Sequence, residues 1–369
     1  MSNCLLDAVY GCLIGGAIGD ALGAPVEGWY HHEIANKHGR LEALIPSYRG
    51  NTGKQYGLPK TEPSKPGAIT DDTTMRHVMC LAIVERGGRI TPTDYAEVLL
   101  KHLDPLRVWR SDRIVLEKLK LGMSPWDTGR NNMPNAAAAM AIAPVGVINA
   151  GDPRQAYQDG FLIASVTQDG TERDAAAAVA TGVAAAFAPA ASVESVIEAV
   201  LTNSSFHIRR AIEIALDLAE ETGSVSAFRD AFYAHMLHWH SPQAPHKGPW
   251  NKTHFFSGSS LEVVPAALAL LKLTQGDVNE GIIEGVAFGR DNDTIASIVG
   301  NIAGALRGAS QLKADWIETC EHANEDFFVE LEQNPKANFL SMAERLVTAL
   351  KQEHVRAQQK LEVISNLLA

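Results

Sequence analysis

Through most of this chain apolar residues return every three or four positions, the period of a helix with one face turned inward. The clearest runs are Met75, Val78, Met79, Ala82 and Ile83, and then Ile295, Ala296, Ile298, Val299, Ile302, Ala303, Ala305 and Leu306. Between them lie alanine-rich stretches of helix length at 136–147, 175–187, 193–201, 209–218 and 261–273, broken by Gly, Pro, Asn and Asp. No segment alternates Val, Ile and Thr with the period of two that a half-buried strand needs. The pattern predicts an all-α domain whose alanine and glycine faces let helices approach closely.

Three further stretches refine this. Residues 5–23 are apolar and small, with Gly11, Gly15, Gly19 and Gly23 spaced by four. They share one helix face, and each weakens the helix by about 1 kcal/mol relative to alanine, so the face implies a neighbour packed against bare backbone. Pro25 ends this helix and leaves Glu27 in a turn, where a solvated glutamate is also an adequate account. Residues 36–68, punctuated by Pro46, Gly50, Gly53, Gly57, Pro59, Pro63, Pro66 and Gly67, predict a long loop or lid. Near the C-terminus Leu340, Ala343, Val347, Leu350, His354, Ala357, Leu361, Ile364 and Leu368 occupy the a and d positions of a heptad. A helix packed on its own domain and a coiled coil between two copies both fit that stripe, and His354 at a core position weakens the second.

With 369 residues, 46% of them hydrophobic and 20% charged, the chain reads as soluble and globular, long enough for a sizeable core. A formal charge of −11 disfavours a nucleic-acid backbone or an anionic membrane as partner. Cys4, Cys12, Cys80 and Cys320 form no C-x-x-C pair, so neither a disulfide framework nor a thiolate zinc site is expected, and a reducing cytoplasm fits best. The apolar N-terminal stretch lacks a basic leader and is interrupted by Asp20, so neither a signal peptide nor a membrane span is expected.

The chemistry gathers in two acidic knots at predicted helix starts. Thr70-Asp71-Asp72 precedes the first apolar run and Gly289-Arg290-Asp291-Asn292-Asp293-Thr294 the second. One capping oxygen serves one or two orphan N–H groups, so paired carboxylates at a helix start exceed what capping needs. Their hard oxygens suit an octahedral Mg²⁺ or Mn²⁺. A capped helix with a spare solvated Asp explains either knot alone; two knots that meet would hold two such ions, since crowded carboxylates repel without a cation. His235, His238, His240, His246 and His254 invite a zinc reading, but no carboxylate stands at ligand spacing, and an aromatic, polar loop bordering a pocket is preferred.

These residues resemble the ADP-ribosylglycohydrolases, including ADP-ribosylarginine hydrolases and dinitrogenase reductase-activating glycohydrolase. The resemblance rests on residues 15–23 followed by Glu27, on 70–73, and on Glu262-Val263-Val264-Pro265-Ala266-Ala267-Leu268 leading to 289–294. It covers about 8–310, so residues 1–310 are taken as the catalytic domain and 311–369 as a helical extension, packed on the domain or dimerising. It implies a compact orthogonal helical bundle with a central dimetal cleft. The implied metal ligands are Thr70, Asp71, Asp72, Asp291, Asp293 and Thr294, and Glu27 is the implied catalytic glutamate beside the ribose. Asp20, Arg290, Asn131, Asn132 and Asn135 are the candidate substrate-binding residues.

Three departures bear on the substrate. Arg290 replaces the second glycine of the usual Gly-Gly-Asp-x-Asp-Thr knot, where it would pair with a metal-binding acid or meet a substrate anion. The diphosphate-cradling loop is only loosely matched at 131–135, with Ala141 where the family has arginine, and Thr167-Gln168 stands for the frequent Thr-His. The expected activity is therefore metal-dependent hydrolysis of the bond between ADP-ribose and a protein side chain or small acceptor. The alternatives are hydrolysis of a smaller, nucleoside-like N-ribosyl compound, and a non-catalytic metal-binding protein on the same fold.

Overall fold

The structure is a computed structural model that describes residues 2–47, 63–238 and 258–368. Among the described residues it contains α-helices joined by turns and short 3₁₀ segments, and no strand. The first half of the chain supplies α1 (Ser2–Gly23), α2 (His31–His38), α3 (Asp71–Arg86), α4 (Pro92–His102), α5 (Arg110–Lys120), α6 (Ala137–Ala141), α7 (Ala143–Ile148) and α8 (Pro153–Ile163). Next come α9 (Thr171–Ala186), α10 (Val193–Asn203), α11 (Phe206–Thr222), α12 (Val225–His238) and α13 (Ser260–Leu273). The chain closes with α14 (Val278–Phe288), α15 (Asn292–Arg307), α16 (Ala314–Glu332) and α17 (Phe339–Leu368). The middle of the loop expected over 36–68, and His240, His246 and His254 of the histidine-rich stretch, lie outside the described residues; His235 is exposed on α12.

Local chemistry starts and stops these helices where the sequence provides it. Thr70, Thr91, Asp152, Ser192 and Asp277 cap α3, α4, α8, α10 and α14 through side-chain oxygens, and Gly87 and Gly223 end α3 and α11 in the left-handed conformation. The single helix expected over 136–147 is instead two, α6 and α7. Pro144 has no N–H and its ring blocks the carbonyl four residues back, so the ladder breaks after Ala141. The Met140 carbonyl accepts a long hydrogen bond from Arg76 Nη1 at 3.4 Å instead.

The core is organised on two central helices. The alanines of α9 are all buried, and their small side chains let α7, α8, α10, α13 and α15 close around it. The second is α1, which lies lengthwise against α15. By length and hydropathy α1 could cross a membrane, but most of it is enclosed by other helices of this fold, as core helices are. Cys12, Cys80 and Cys320 are buried free thiols and Cys4 is exposed. α16 and the first half of α17 join the same core through Cys320, Phe327, Phe328, Phe339, Met342 and Leu346. Along the heptad stripe Ala343 and Val347 are buried, whereas Leu361, Ile364 and Leu368 on the distal turns are 64%, 43% and 83% exposed.

Candidate active site

The glycine face of α1 sets the site's dimensions. A Cβ built on Gly15 would stand 2.5 Å from the Gly300 carbonyl oxygen, and one on Gly11 2.4 Å from that of Gly304. One on Gly19 would meet the Ala296 backbone at 2.4 Å, and one on Gly23 the Asp293 Cα at 2.5 Å. Small residues spaced by four on α15 thus interlock with those on α1, backbone against backbone. The register ends with the second acidic knot beside the last turn of α1.

From that turn Asp20 reaches the first knot. Its carboxylate accepts from Thr70 N and Thr73 N, each at 3.1 Å, so it serves buried N–H groups at the start of α3 that have no intrahelical partner. Asp20 is fully buried, and burial lifts its pKa against the pull of those bonds and of Arg76. Its placement holds the 70–73 turn rather than offering a surface for substrate. Arg76, also buried, donates to Thr73 Oγ1 and Ser297 Oγ at 2.7 Å each, tying α3 to α15.

The Glu27 turn is clamped to the second knot by backbone. Gly28 N donates to the Arg290 carbonyl at 2.7 Å, Arg290 N donates to the Trp29 carbonyl at 2.6 Å, and Tyr30 and Gly289 form an isolated antiparallel bridge. Carboxylate oxygens of Glu27, Asp291 and Asp293 consequently lie within 4.8 Å of one another. The two knots meet here. Asp72 is raised well above the ordinary carboxylate value by burial and then by the charges of Asp20, Asp71 and Asp291, with a hydrogen bond to Thr294 opposing. Asp293 is raised by burial, Glu27, Asp72 and Asp291, and Asp291 is pushed up to about 8 by burial, Glu27 and Glu262. Asp72 Oδ2 and Asp293 Oδ1 are buried with no hydrogen-bond partner among the described residues. Orphaned hard oxygens on mutually repelling acids fit a divalent cation, and Thr70, Asp71 and Thr294 stand in the same two turns.

The remaining sequence candidates are placed differently. Arg290 meets neither a metal-binding acid nor open solvent: with φ at +62° and a 2% exposed side chain, it forms a two-pronged pair with Glu262. Nε to Oε1 is 2.5 Å and Nη2 to Oε2 is 2.9 Å. Desolvation works against the Arg290 charge, and Glu262 more than offsets it, holding the guanidinium above its ordinary pKa. Asn132 donates to the Ser111 and Thr167 carbonyls at 3.2 and 2.8 Å. Asn135 donates to Ser111 Oγ at 2.8 Å and accepts from Gln168 Nε2 at 2.6 Å. Both are buried and hold their own loop, whereas Asn131 is exposed with φ at +57°.

Three residues carried no assigned role in the sequence. Glu262 stood within a quoted motif, but its partner lies two helices away. Arg76 and Asp112 sit on ordinary amphipathic helices, where nothing in the spacing marks them. Asp112 is buried on α5, and burial followed by the Asp71 charge pushes it up to about 7.

The family model described as ADP-ribosylglycohydrolase matches residues 1–355. An uncharacterized protein, YegU, of Escherichia coli strain K12 is 26% identical over 327 residues, spanning 83% of this chain and 89% of that protein. An uncharacterized protein of Archaeoglobus fulgidus is 28% identical over 319 residues, with the same shares. A solved structure titled an ADP-ribosylglycohydrolase-related protein complex superposes with a TM-score of 0.62 at 21% identity, covering 93% of this chain and 98% of that one, a likeness of fold.

Proposed function

The chain belongs to the ADP-ribosylglycohydrolase family, and on that premise we propose that it is a metal-dependent glycosidase that cleaves the bond between ADP-ribose and an acceptor. The observation that carries this reading is the convergence of Glu27, Asp291 and Asp293, with Asp72 beside them, on one buried patch. Thr70, Asp71, Asp72, Asp291, Asp293 and Thr294 would hold one or two Mg²⁺ or Mn²⁺ ions, which when bound supply positive charge for the sugar hydroxyls and lower the pKa of a water. Glu27, half-buried at the edge of the patch, takes a proton from the attacking water as general base. The clustered carboxylates stabilise the positive charge that develops on the ribose in an oxocarbenium-like transition state. Burial of Asp72 and Asp293 keeps water from screening that interaction.

A second reading, hydrolysis of a smaller N-ribosyl compound, is supported by Asn132 and Asn135, whose amides are spent on their own loop rather than left for a diphosphate. Mass spectrometry of products from ADP-ribosyl-arginine, ADP-ribosyl-serine, an ADP-ribosylated DNA base and simple ribonucleosides tests both, with Mg²⁺, Mn²⁺ or EDTA. Metal-dependent release of free ADP-ribose is the expected result and names the acceptor. Free ribose alone transfers the assignment to the smaller substrate, and no release from any member refutes the hydrolase reading for these acceptors.

A further inference from the structure

The Glu262–Arg290 pair stands one residue from the acid patch and is almost fully enclosed. Taking two charges out of water is costly unless geometry and hydrogen bonding are good, so a buried pair needs a reason for being there. Its surroundings supply one. The Arg290 backbone is locked to the Glu27 turn on one side and continues into Asp291 on the other. Its main chain is therefore tethered beside Glu27, Asp291 and Asp293, the anions that a cation would occupy, while the groups acting on its guanidinium are Glu262, Tyr233 and Tyr30. Arg290 Nη1 has no hydrogen-bond partner among the described residues, so the guanidinium retains donor capacity for a further acid. Glu262 engages the other two prongs from α13.

Resting on the reading that this patch binds a divalent cation, we propose that Glu262 sequesters the Arg290 guanidinium, keeping an internal competitor off the acids that hold the metal. Both residues are positioning residues: neither touches the reacting atoms. Arg76, the other guanidinium buried near the patch, is likewise held by groups outside it, Thr73 and Ser297. The positive φ at Arg290 gives the arrangement a second constraint, because a non-glycine residue holds that conformation only where its surroundings fix it.

The test is Mn²⁺ titration of the full chain, reading free Mn²⁺ by electron paramagnetic resonance, alongside the thermal midpoint of each variant without metal. Glu262→Gln is expected to weaken Mn²⁺ binding at least tenfold, because the freed guanidinium turns to Asp291 and Asp293. Adding Arg290→Gly to Glu262→Gln removes the competitor and is expected to return affinity to within about threefold of the unaltered chain. A merely structural pair would lower the midpoint in both variants without this rescue. Arg290→Lys, which keeps the charge but loses the fork, is expected to weaken Mn²⁺ binding as well, and carries the test should Glu262→Gln not fold. Unchanged Mn²⁺ affinity in folded Glu262→Gln or in Arg290→Lys overturns the proposal, as does a double variant that binds no better than Glu262→Gln. An unaltered chain that binds no Mn²⁺ overturns the cation reading itself, a failure distinguishable from the first.

Discussion

Gly15→Ala sets two effects of opposite sign against each other. In an isolated helix it stabilises by about 1 kcal/mol, because glycine is the poorer helix former. In this fold the added methyl would stand 2.5 Å from the Gly300 carbonyl oxygen, where ordinary contact begins at 3.4 Å. The obstacle is backbone, so no rotamer change relieves it, and α1 and α15 must part by about 0.9 Å, the difference between those distances. Overpacking costs about 1–3 kcal/mol, which after subtracting the propensity gain leaves a net loss of about 0–2 kcal/mol and a fall of a few degrees in thermal midpoint. The chemical effect is larger, because α15 carries Asp293 and Thr294, and a misplacement of about 1 Å costs on the order of a hundredfold in rate. The measurements are kcat/KM for ribosyl release with Mg²⁺ and the thermal midpoint. Gly182→Ala on α9 is the control: its methyl would meet Ile302 Cδ1 at 3.1 Å and Val200 Cγ2 at 3.4 Å, side-chain ends that can move. Gly15→Ala should lose at least about tenfold in activity with its helical circular dichroism intact, and Gly182→Ala should lose little. A Gly15→Ala variant as active as the unaltered chain and more stable would refute the reasoning.

Asp72→Ala or Asp293→Ala should cut turnover by at least about a hundredfold while raising the metal-free thermal midpoint, since each removes one member of a repelling set. Loss of folding in place of activity would show these acids to be structural. Saturating Mg²⁺ at about 100 times its dissociation constant should stabilise the unaltered chain by about 2.7 kcal/mol, and EDTA should reverse the shift in midpoint. His77 on α3 is buried against Glu332 of α16 at 2.7 Å, with Arg345 of α17 and Arg76 of α3 also acting on it, and desolvation depresses its pKa below 6.5. The unfolded chain then binds more protons, so stability is present above pH 6.5 and is lost as pH falls below it. His77→Gln should show a flatter midpoint between pH 7 and about 5, and an equally steep fall would refute this source. Pairing of the distal α17 turns with a second copy predicts that the whole chain sediments as a dimer and a chain ending at Arg356 as a monomer.

The parts of this fold legible in the sequence are those fixed by local rules. The helical period over 295–306, the stop at Pro25 and the helix start at Thr70 all depend on neighbours within a turn or two. The glycine spacing of α1 even announced a close partner, but nothing in it named α15, because any backbone stripe of small residues would serve. Pro144 shows a local rule that was available and outvoted: alanines on both sides promised one helix, and the missing N–H still divided it. The asparagines of 131–135 show the limit from the other side. A polar, turn-rich loop offers the same amides whether it binds a ligand or closes on itself, and only the positions of Ser111, Thr167 and Gln168 decide between them. Arg290 likewise could not be assigned a partner, since Glu262 lies 28 residues earlier and reaches it only after α13 and α14 have folded back.

What joins these cases is that the acids can be crowded only because the scaffold around them is stiff. Asp72, Asp291 and Asp293 repel one another in a site where water screens poorly, and every one of them is lifted from its ordinary pKa by that burial. A loop would relieve the strain by moving apart. Here the relief is blocked three ways: α1 and α15 touch backbone to backbone, Asp20 pins the first knot by its N–H groups, and two main-chain bonds fasten the Glu27 turn to Arg290. Each device uses atoms that cannot swing away, glycine backbone or amide N–H, rather than long side chains. With movement blocked, the repulsion can be relieved only by uptake of a proton or of a cation, and on the reading proposed above the same rigidity would favour a small, doubly charged occupant.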